Sequence, residues 1–241
     1  KLLIDVCRSQ SVAVFGNVTI AILLACIVSA AYAANTQQPL LDAHTVAYQM
    51  KSVDIITQPT LWYAAIAGLW LFCSGIIAGF FDNRADYLDL RNRLTINPLL
   101  RKIMPAKARH AFAAYMHRHY GSLTGNFIFG MLLGMTGFFG HLLDLPLDIR
   151  HVAFSSANLG YAVVSGNLGA KAFLLGLAGV LAIGAVNLMV SFTLALFVAL
   201  RSRGTKISSI SKLLNSVWTQ IKANPLLLVY PVQAKDGQEN K

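Results

Sequence analysis

Charged residues are scarce in this chain. Asp, Glu, Lys and Arg make up 12% of its 241 residues, whereas hydrophobic residues make up 56%. An ordinary soluble domain carries about 25% charged residues, so this composition excludes a water-soluble globule of the same length. It also excludes a disordered chain, because disordered chains are poor in apolar residues. The composition indicates a membrane protein.

Residue patterns typical of disulfide scaffolds and of common enzymes are also lacking. The three cysteines, Cys7, Cys26 and Cys73, form no C-x-x-C pair, which argues against a disulfide framework or a cysteine zinc site. Glu239 is the single glutamate, so a pair of catalytic glutamates is excluded. The chain has no G-x-S-x-G, H-E-x-x-H or P-loop motif. No cofactor is evident, and enzymatic activity is not favoured.

Long apolar stretches predict the fold. A helix needs about 20 apolar residues to cross the hydrocarbon core of a bilayer. Four stretches without a formal charge reach that length, at 12–33, 61–81, 123–143 and 172–200. A helix pairs its backbone groups internally, as lipid requires. We therefore predict an all-α, polytopic transmembrane helix bundle over residues 1–204.

Lysine and arginine are distributed unevenly between these spans. The loop 82–122 carries eight of them and the chain after the fourth span carries seven. The other two loops carry only Lys51, and Arg150 with Lys171. By the positive-inside rule, both termini and the loop 82–122 are cytoplasmic. The expected location is an inner membrane, with anionic lipid headgroups among the partners.

The segment 148–170 is apolar but contains several Ser and Asn residues. A fifth full span there would place the basic tail outside, against the charge rule. We therefore expect a re-entrant or interfacial helix pair on the outer side, with a fifth span as the alternative. Together with the polar face of the fourth span, it forms the predicted binding pocket. The pocket residues are Asp148, Arg150, His151, Ser155, Ser156, Asn158, Tyr161 and Asn187.

Two histidines and two aspartates near this segment have the side chains of a divalent metal site. They are His141, Asp144, Asp148 and His151, which would share one face of a continuous helix. Pro146 lies between them and makes a continuous helix doubtful. The alternative is that Asp148 caps a helix while Asp144 and His141 lie at the outer interface.

The loop 82–122 is predicted to contain two helices. Asn97-Pro98 ends the first, and Pro105 opens the second, which covers 106–120. The basic residues of the second helix, Lys107, Arg109 and Arg118, suit anionic lipid or nucleic acid, or serve topology alone. Residues 205–230 have the apolar stripe of an amphipathic interfacial helix, and 231–241 are expected to be disordered.

Glycine pairs at a spacing of four mark two of the predicted spans. They are Gly75 with Gly79 and Gly130 with Gly134. Further glycines in the spans are Gly125, Gly137 and Gly140 in the third and Gly176, Gly179 and Gly184 in the fourth. Such pairs let helix backbones approach closely within a membrane. We favour an intramolecular seam at these glycines, because several spans carry them, and a homo-oligomer contact is the alternative.

Four sequence strings resemble the bacterial membrane-protein family named site-specific recombinase. They are GFFDN at 79–83, LTGNFIFG at 123–130, LPLDIRHVAFSSANLGY at 145–161 and VNLMVSFTLAL at 186–196. The resemblance covers residues 1–230 and implies DNA recombination with DNA as a partner. It supplies no catalytic residues, since no histidine is followed by arginine three positions later, as a tyrosine recombinase requires.

Three hypotheses about function follow. The first is a non-catalytic integral membrane protein with a structural or transport-like role. The second is a membrane-anchored protein of DNA recombination whose basic helix 106–120 contacts DNA. The third is a metal-dependent membrane enzyme that uses the histidine and aspartate group. Because the chain begins at Lys1 rather than Met, we also expect it to be part of a longer protein with a further N-terminal domain.

Overall fold

The chain folds into helices throughout the part that the structure describes. The computed structural model describes residues 2–145 and 147–202, together with Asn215, Trp218, Thr219 and Lys222. Within these residues the elements are α1 (Leu2–Thr36), α2 (Ala43–Ser52), α3 (Thr60–Tyr87), α4 (Leu90–Ile96), α5 (Pro98–Ile103), α6 (Ala106–Leu142), α7 (Val152–Ser165) and α8 (Ala170–Ser202). No strand occurs among them. The all-α prediction is confirmed.

Four helices, α1, α3, α6 and α8, are long and apolar enough to cross a membrane. Each contains one of the predicted spans. The largest correction concerns α6, which is one helix of 37 residues. The basic helix 106–120 and the span 123–143, predicted as separate elements, therefore form one rod. No proline falls inside α6, and the helix continues through Gly121.

The connection between α3 and α6 follows the predicted proline signals. α4 ends at Ile96, and Asn97 accepts hydrogen bonds from the backbone N–H groups of Leu99 and Leu100 at the start of α5. Pro105 is the N-cap of α6. The break at Asn97-Pro98 and the helix start after Pro105 are both confirmed.

A short helix that the apolar pattern did not predict lies between α1 and α3. α2 covers ten residues and begins after Asp42, whose carboxylate accepts a hydrogen bond from the Thr45 backbone N–H at 2.7 Å. These hydrogen bonds lower the pKa of Asp42. α2 packs against α7 through Val46, which is buried.

The segment predicted as a helix pair at 148–170 forms a single helix, α7. It has 14 residues, so its length is about 21 Å at ~1.5 Å per residue, too short to cross a core of about 30 Å. Its N-cap is His151, so Asp148 does not cap it as proposed. Its position on the outer side of a membrane stays a prediction.

Contacts between the helices fix their relative directions. α6 is antiparallel to α3, because Gly121 packs near Asp82 whereas Thr136 lies at Trp70. α8 is parallel to α3, because Asn187 contacts Ala64 and Val190 lies at Gly68.

α7 and α8 are antiparallel, since Val152 lies at Asn187 and Leu159 lies at Gly176. α7 also runs alongside α1, with Ser165 hydrogen-bonded to Ser29 at 3.0 Å. It follows that α6 and α7 point in the same direction, and residues 143–145 and 147–151 between them are non-helical.

The predicted glycine seam is wrong for the two pairs at a spacing of four and is confirmed at most of the other glycines named with them. A Cβ at Gly75, Gly79, Gly130 or Gly134 would meet nothing within 4 Å. Close helix contacts use other glycines of the predicted set, together with Gly121. In α6 a Cβ at Gly125 would lie 2.9 Å from the Ala78 side chain, and one at Gly121 would collide with the Ala78 carbonyl. Spacing identifies glycines that permit contact, but the direction each faces decides whether a helix lies there.

The predicted interfacial helix 205–230 and tail 231–241 lie outside the described residues, apart from the four tail positions named above. Among these four, the ammonium group of Lys222 lies 5.3 Å from the ring centre of Trp218.

Candidate functional site

Asn187 lies at the centre of the most polar buried region of the bundle. Asn187 belongs to α8 and is buried, with 1% of the residue exposed. Its amide oxygen accepts a hydrogen bond from the Val152 backbone N–H at 3.0 Å, at the start of α7. Its amide nitrogen donates to the carbonyls of Ala64 at 2.7 Å and Arg150 at 3.0 Å. One side chain therefore ties α8 to α3 and to the start of α7.

Arg150 lies beside Asn187, in the non-helical connection before α7. Its guanidinium pairs with the Asp148 carboxylate at 2.7 Å and donates from Nε to the Ser52 carbonyl at 3.1 Å. The guanidinium carbon lies 5.9 Å from the ring centre of Tyr63. A cavity of about 140 Å³ adjoins it, lined by Tyr48, Lys51, Ser52, Gln58, Thr60, Tyr63 and Arg150.

We use the name polar knot for Asp148, Arg150, Asn187, Ser52 and Thr60. Thr60, at the start of α3, donates from its hydroxyl to the carbonyls of Ser52 at 3.2 Å and Asp54 at 2.8 Å. Buried polar groups stabilise a fold when they are paired, and each member of the knot has a partner. The knot therefore stabilises the junction of α2, α3, α7 and α8.

The remaining pocket candidates lie along or next to α7. Ser155 and Ser156 are buried, and the Ser156 hydroxyl donates to the Val152 carbonyl at 2.6 Å, within the same helix. Asn158 and Tyr161 are half-buried. The structure thus brings together Asp148, Arg150 and Asn187, whereas these α7 residues extend away from them.

His151 occupies an aromatic environment. Its ring meets Phe129 of α6 at 5.0 Å and Phe154 of α7 at 5.8 Å between ring centres, both edge to face. The residue lies outside the four long helices, and burial lowers its pKa from 6.5 to about 4. The imidazole is therefore neutral at pH 7.

The four metal candidates do not form a cluster. No group of three or more His, Cys, Asp or Glu side chains suited to a metal occurs in the described part of the chain. Asp144 takes a left-handed backbone conformation with φ of 49° after the end of α6, and its side chain is exposed. Asp148 pairs with Arg150, and His151 faces phenylalanines. His141 is exposed on the last turn of α6. The helix break that Pro146 predicted separates the ligands.

The three basic candidates of α6 have different surroundings. Lys107 is exposed. Arg109 is half-buried and donates to the carbonyl of Met104, the C-cap of α5, at 3.4 Å. Arg118 lines a cavity of about 330 Å³ with Asp82, Asp86, Arg91, Ala114 and His117, in which His117 and Asp86 are paired at 3.3 Å.

We define the basic arm as residues 90–118, which comprise α4, α5 and the first part of α6. It contains seven Lys or Arg residues and no acidic residue. Exposed apolar residues accompany this charge, among them Leu99 and Ile103, each 69% exposed. The arm is the most strongly basic surface among the described residues.

A groove of about 630 Å³ lies between α3, α6 and α8, within the parts of these helices that are apolar enough to span a membrane. α6 and α8 each pack against α3 but hardly against each other, which leaves the groove open. Its walls include Ser74 and Gly75 of α3, Asn126 of α6, and Ser191 and Phe192 of α8. The available sequence signal for this site was Asn126 and Ser191, polar residues within apolar spans.

Sequence reasoning missed the part that α2 and the start of α3 contribute to the polar knot. Ser52 at the end of α2 and Thr60 and Tyr63 at the start of α3 belong to no motif or charge pattern. Polar residues flanking Pro59 were the available signal, since Thr60 follows it directly at the start of α3.

Comparison with known proteins gives one finding. Residues 1–231 match the family model described as site-specific recombinase. Searches of the curated proteins and of the solved structures found no match.

Proposed function

We propose that this chain, which belongs to the site-specific recombinase family, is a multi-pass bacterial inner-membrane protein with a structural or transport-like role. Four long apolar helices support the membrane location. A catalytic role receives no support from the polar knot, because its donors and acceptors are engaged with backbone carbonyls and with each other.

The re-entrant path from α6 to α7 carries this proposal. Leu147 lies at Gly140 and His151 lies at Phe129, so the chain turns back alongside α6 before α7 begins. Residues 143–145 and 147–151 are non-helical. Within a membrane, non-helical backbone is tolerated where it is buried in protein, as in re-entrant loops and the broken helices of transporters. Asn187 satisfies the Val152 N–H and the Arg150 carbonyl at the end of this segment, which makes the segment a stable part of the fold.

The proposed topology places both ends of the four-span bundle and the basic arm in the cytoplasm, with residue 144 outside. A membrane-impermeant thiol reagent tests it in a variant whose native cysteines are replaced by serine. Asn92→Cys and Asp144→Cys both introduce thiols at exposed positions. We expect labelling of Cys at 144 in intact spheroplasts and of Cys at 92 only in inverted vesicles. Labelling of both from the same side contradicts the topology.

A second function, contact with nucleic acid, is favoured by the shape and charge of the basic arm. Lys107 precedes the predicted span start at 123 by 16 residues of one helix, about 24 Å at ~1.5 Å per residue. With α6 upright, Lys107 lies beyond lipid headgroups and beyond a Debye length of about 8 Å. Its charge would then act on a soluble anionic partner.

Fluorescence anisotropy with a labelled DNA duplex tests this second function in detergent over a range of salt concentrations. Binding by the arm predicts an affinity that falls steeply with salt. The triple variant Arg101→Ala, Lys102→Ala, Lys107→Ala would flatten the salt dependence. The matched variant Lys51→Ala, Lys171→Ala changes charges of the opposite loops and would leave it unchanged. Equal effects of the two variants, or no binding by the unmodified protein, reject the arm as a DNA contact.

A further inference from the structure

The groove between α3, α6 and α8 is open to one side along the apolar parts of three helices. Its volume of about 630 Å³ falls within the ~300–1,000 Å³ typical of small-molecule sites. The groove is therefore large enough for a small ligand.

Two side chains in the walls have unused hydrogen-bonding groups. Asn126 of α6 and Ser191 of α8 line the groove, and neither side chain has a hydrogen bond within the described part of the chain. By contrast, Ser74 in the same groove donates to the carbonyl of Leu71 in its own helix. An unpaired amide or hydroxyl in hydrocarbon costs free energy, so a ligand that offers a polar group would be bound there.

The rest of the surface is apolar. Leu71, Leu188, Met189 and Phe192 contribute hydrocarbon and aromatic surface from α3 and α8. Asn126 lies near the basic end of its span, four positions after Ser122 and eight positions after Arg118. A ligand matched to this groove has a hydrogen-bonding head near Asn126 and an unbranched hydrocarbon body along α8.

We propose that the groove binds a single-chain amphiphile, a molecule of the fatty-acid class. The hydrocarbon chain fills the space between α3 and α8, and the head accepts a hydrogen bond from the Asn126 amide. The bound chain closes the gap between α6 and α8. This site is separate from the polar knot and the basic arm, so it rests on the proposed membrane location but not on the proposed structural or transport-like role.

Photo-crosslinking in vesicles of palmitoyl-oleoyl phosphatidylcholine tests the site. The probe is palmitic acid with a diazirine at mid-chain, and unlabelled palmitate is the competitor. We expect labelling of the peptides that contain 71–78 and 185–195, and loss of that labelling as palmitate is added. If added palmitate does not reduce the labelling, the probe has reacted from bulk lipid, and the proposal is overturned.

Two glycine variants provide a matched pair. Gly75 lines the groove and Gly130 does not, yet a Cβ at either position meets nothing within 4 Å. Gly75→Leu fills the groove, so we expect at least a fivefold loss of competable labelling. Gly130→Leu adds the same side chain elsewhere and leaves labelling unchanged. An equal loss in both variants, or no loss in Gly75→Leu, overturns the assignment.

Asn126→Leu tests where the head lies. Loss of one hydrogen bond of ~1 kcal/mol would raise the palmitate concentration needed for half-competition about fivefold. An unchanged concentration overturns the placement of the head at Asn126. Because Asn126 has no hydrogen bond to lose in the described structure, this variant is expected to fold as the unmodified protein does.

Discussion

The two halves of α8 have similar apolar sequences but different surroundings. We take Asn187 as the end of the first half, and all buried residues lie up to this point, namely Gly176, Gly179, Val180, Ile183, Gly184 and Asn187. Beyond Asn187 the helix borders the open groove, and residues such as Met189 and Phe197 are 66% and 49% exposed. The first half contacts α2, α3 and α7, whereas the second half packs mainly on α3.

This difference teaches that burial along a membrane helix depends on which neighbours reach it. The first half has small residues where other chain segments approach, as at Gly179, where a Cβ would collide with the Val53 carbonyl. The second half has Ser191, whose side chain has no hydrogen bond among the residues that the structure describes. Polar residues in the closed half stabilise the fold, and polar residues in the open half are free to contact a ligand.

The largest effect expected is from Asn187→Leu, in the closed half. Three buried backbone groups would lose their partner, at ~1–3 kcal/mol each, so the free energy of unfolding would fall by about 3 kcal/mol or more. Asn126→Leu is the matched change in the open groove and would alter stability by less than about 0.5 kcal/mol. Thermal unfolding in detergent measures both. Equal destabilisation by the two variants would remove the distinction between the halves.

His151 makes the free energy of unfolding depend on pH. Its folded pKa of about 4 lies below the ordinary 6.5, so burial favours the neutral form. This contribution is fully present above pH 6.5 and is lost as the pH falls toward 4, by up to about 3 kcal/mol at ~1.36 kcal/mol per pKa unit. His151→Phe would weaken this loss, measured as unfolding midpoint against pH. The exposed-site variant His110→Phe is the control, and an acid dependence shared by both variants contradicts the assignment.

Gly121→Ala sharpens the comparison within α6. The added methyl group would collide with the Ala78 carbonyl and the Asp82 carboxylate, and overpacking of this kind costs about 1–3 kcal/mol. Gly130→Ala lies in open space on the same helix and would stabilise it by roughly 0.5–1 kcal/mol through helix propensity. Unfolding of the two proteins in the same detergent gives the difference. A destabilised Gly130→Ala variant would contradict the open space at Gly130 and would indicate that the pair Gly130 and Gly134 is in contact with another helix.

The smallest effect is expected at Trp70, on the seam between α3 and α6. Its indole N–H donates to the Thr136 hydroxyl at 2.8 Å. Trp70→Phe removes this bond, at about 0.5–1.5 kcal/mol. Trp62→Phe changes an indole that is 66% exposed and would have little effect. Near-ultraviolet circular dichroism follows the unfolding of both variants. A loss of stability in Trp62→Phe as large as that in Trp70→Phe would contradict a stabilising hydrogen bond between Trp70 and Thr136.

Sequence reasoning succeeded where one local property was enough. Asn97 and Pro98 ended a helix because proline restricts the residue before it. Sequence reasoning failed for α6, which it divided into a basic helix 106–120 and an apolar span 123–143. A change from charged to apolar residues does not interrupt backbone hydrogen bonds, so the helix continues. In the candidate site, Arg150 and Asn187 were named correctly as neighbours of one region, but Ser52 and Thr60 were missed because their contacts come from another loop.

Hydropathy and proline positions were sufficient to define four long helices, since both act over a few neighbouring residues. The pairing of Asn187 with Ala64, which are 123 residues apart, arose from packing. So did the open space beside Gly130 and the groove between α6 and α8. The physical reason is range: a helix forms from bonds between residues four apart, whereas the partner of a polar or small side chain is set by helices that meet from distant parts of the chain.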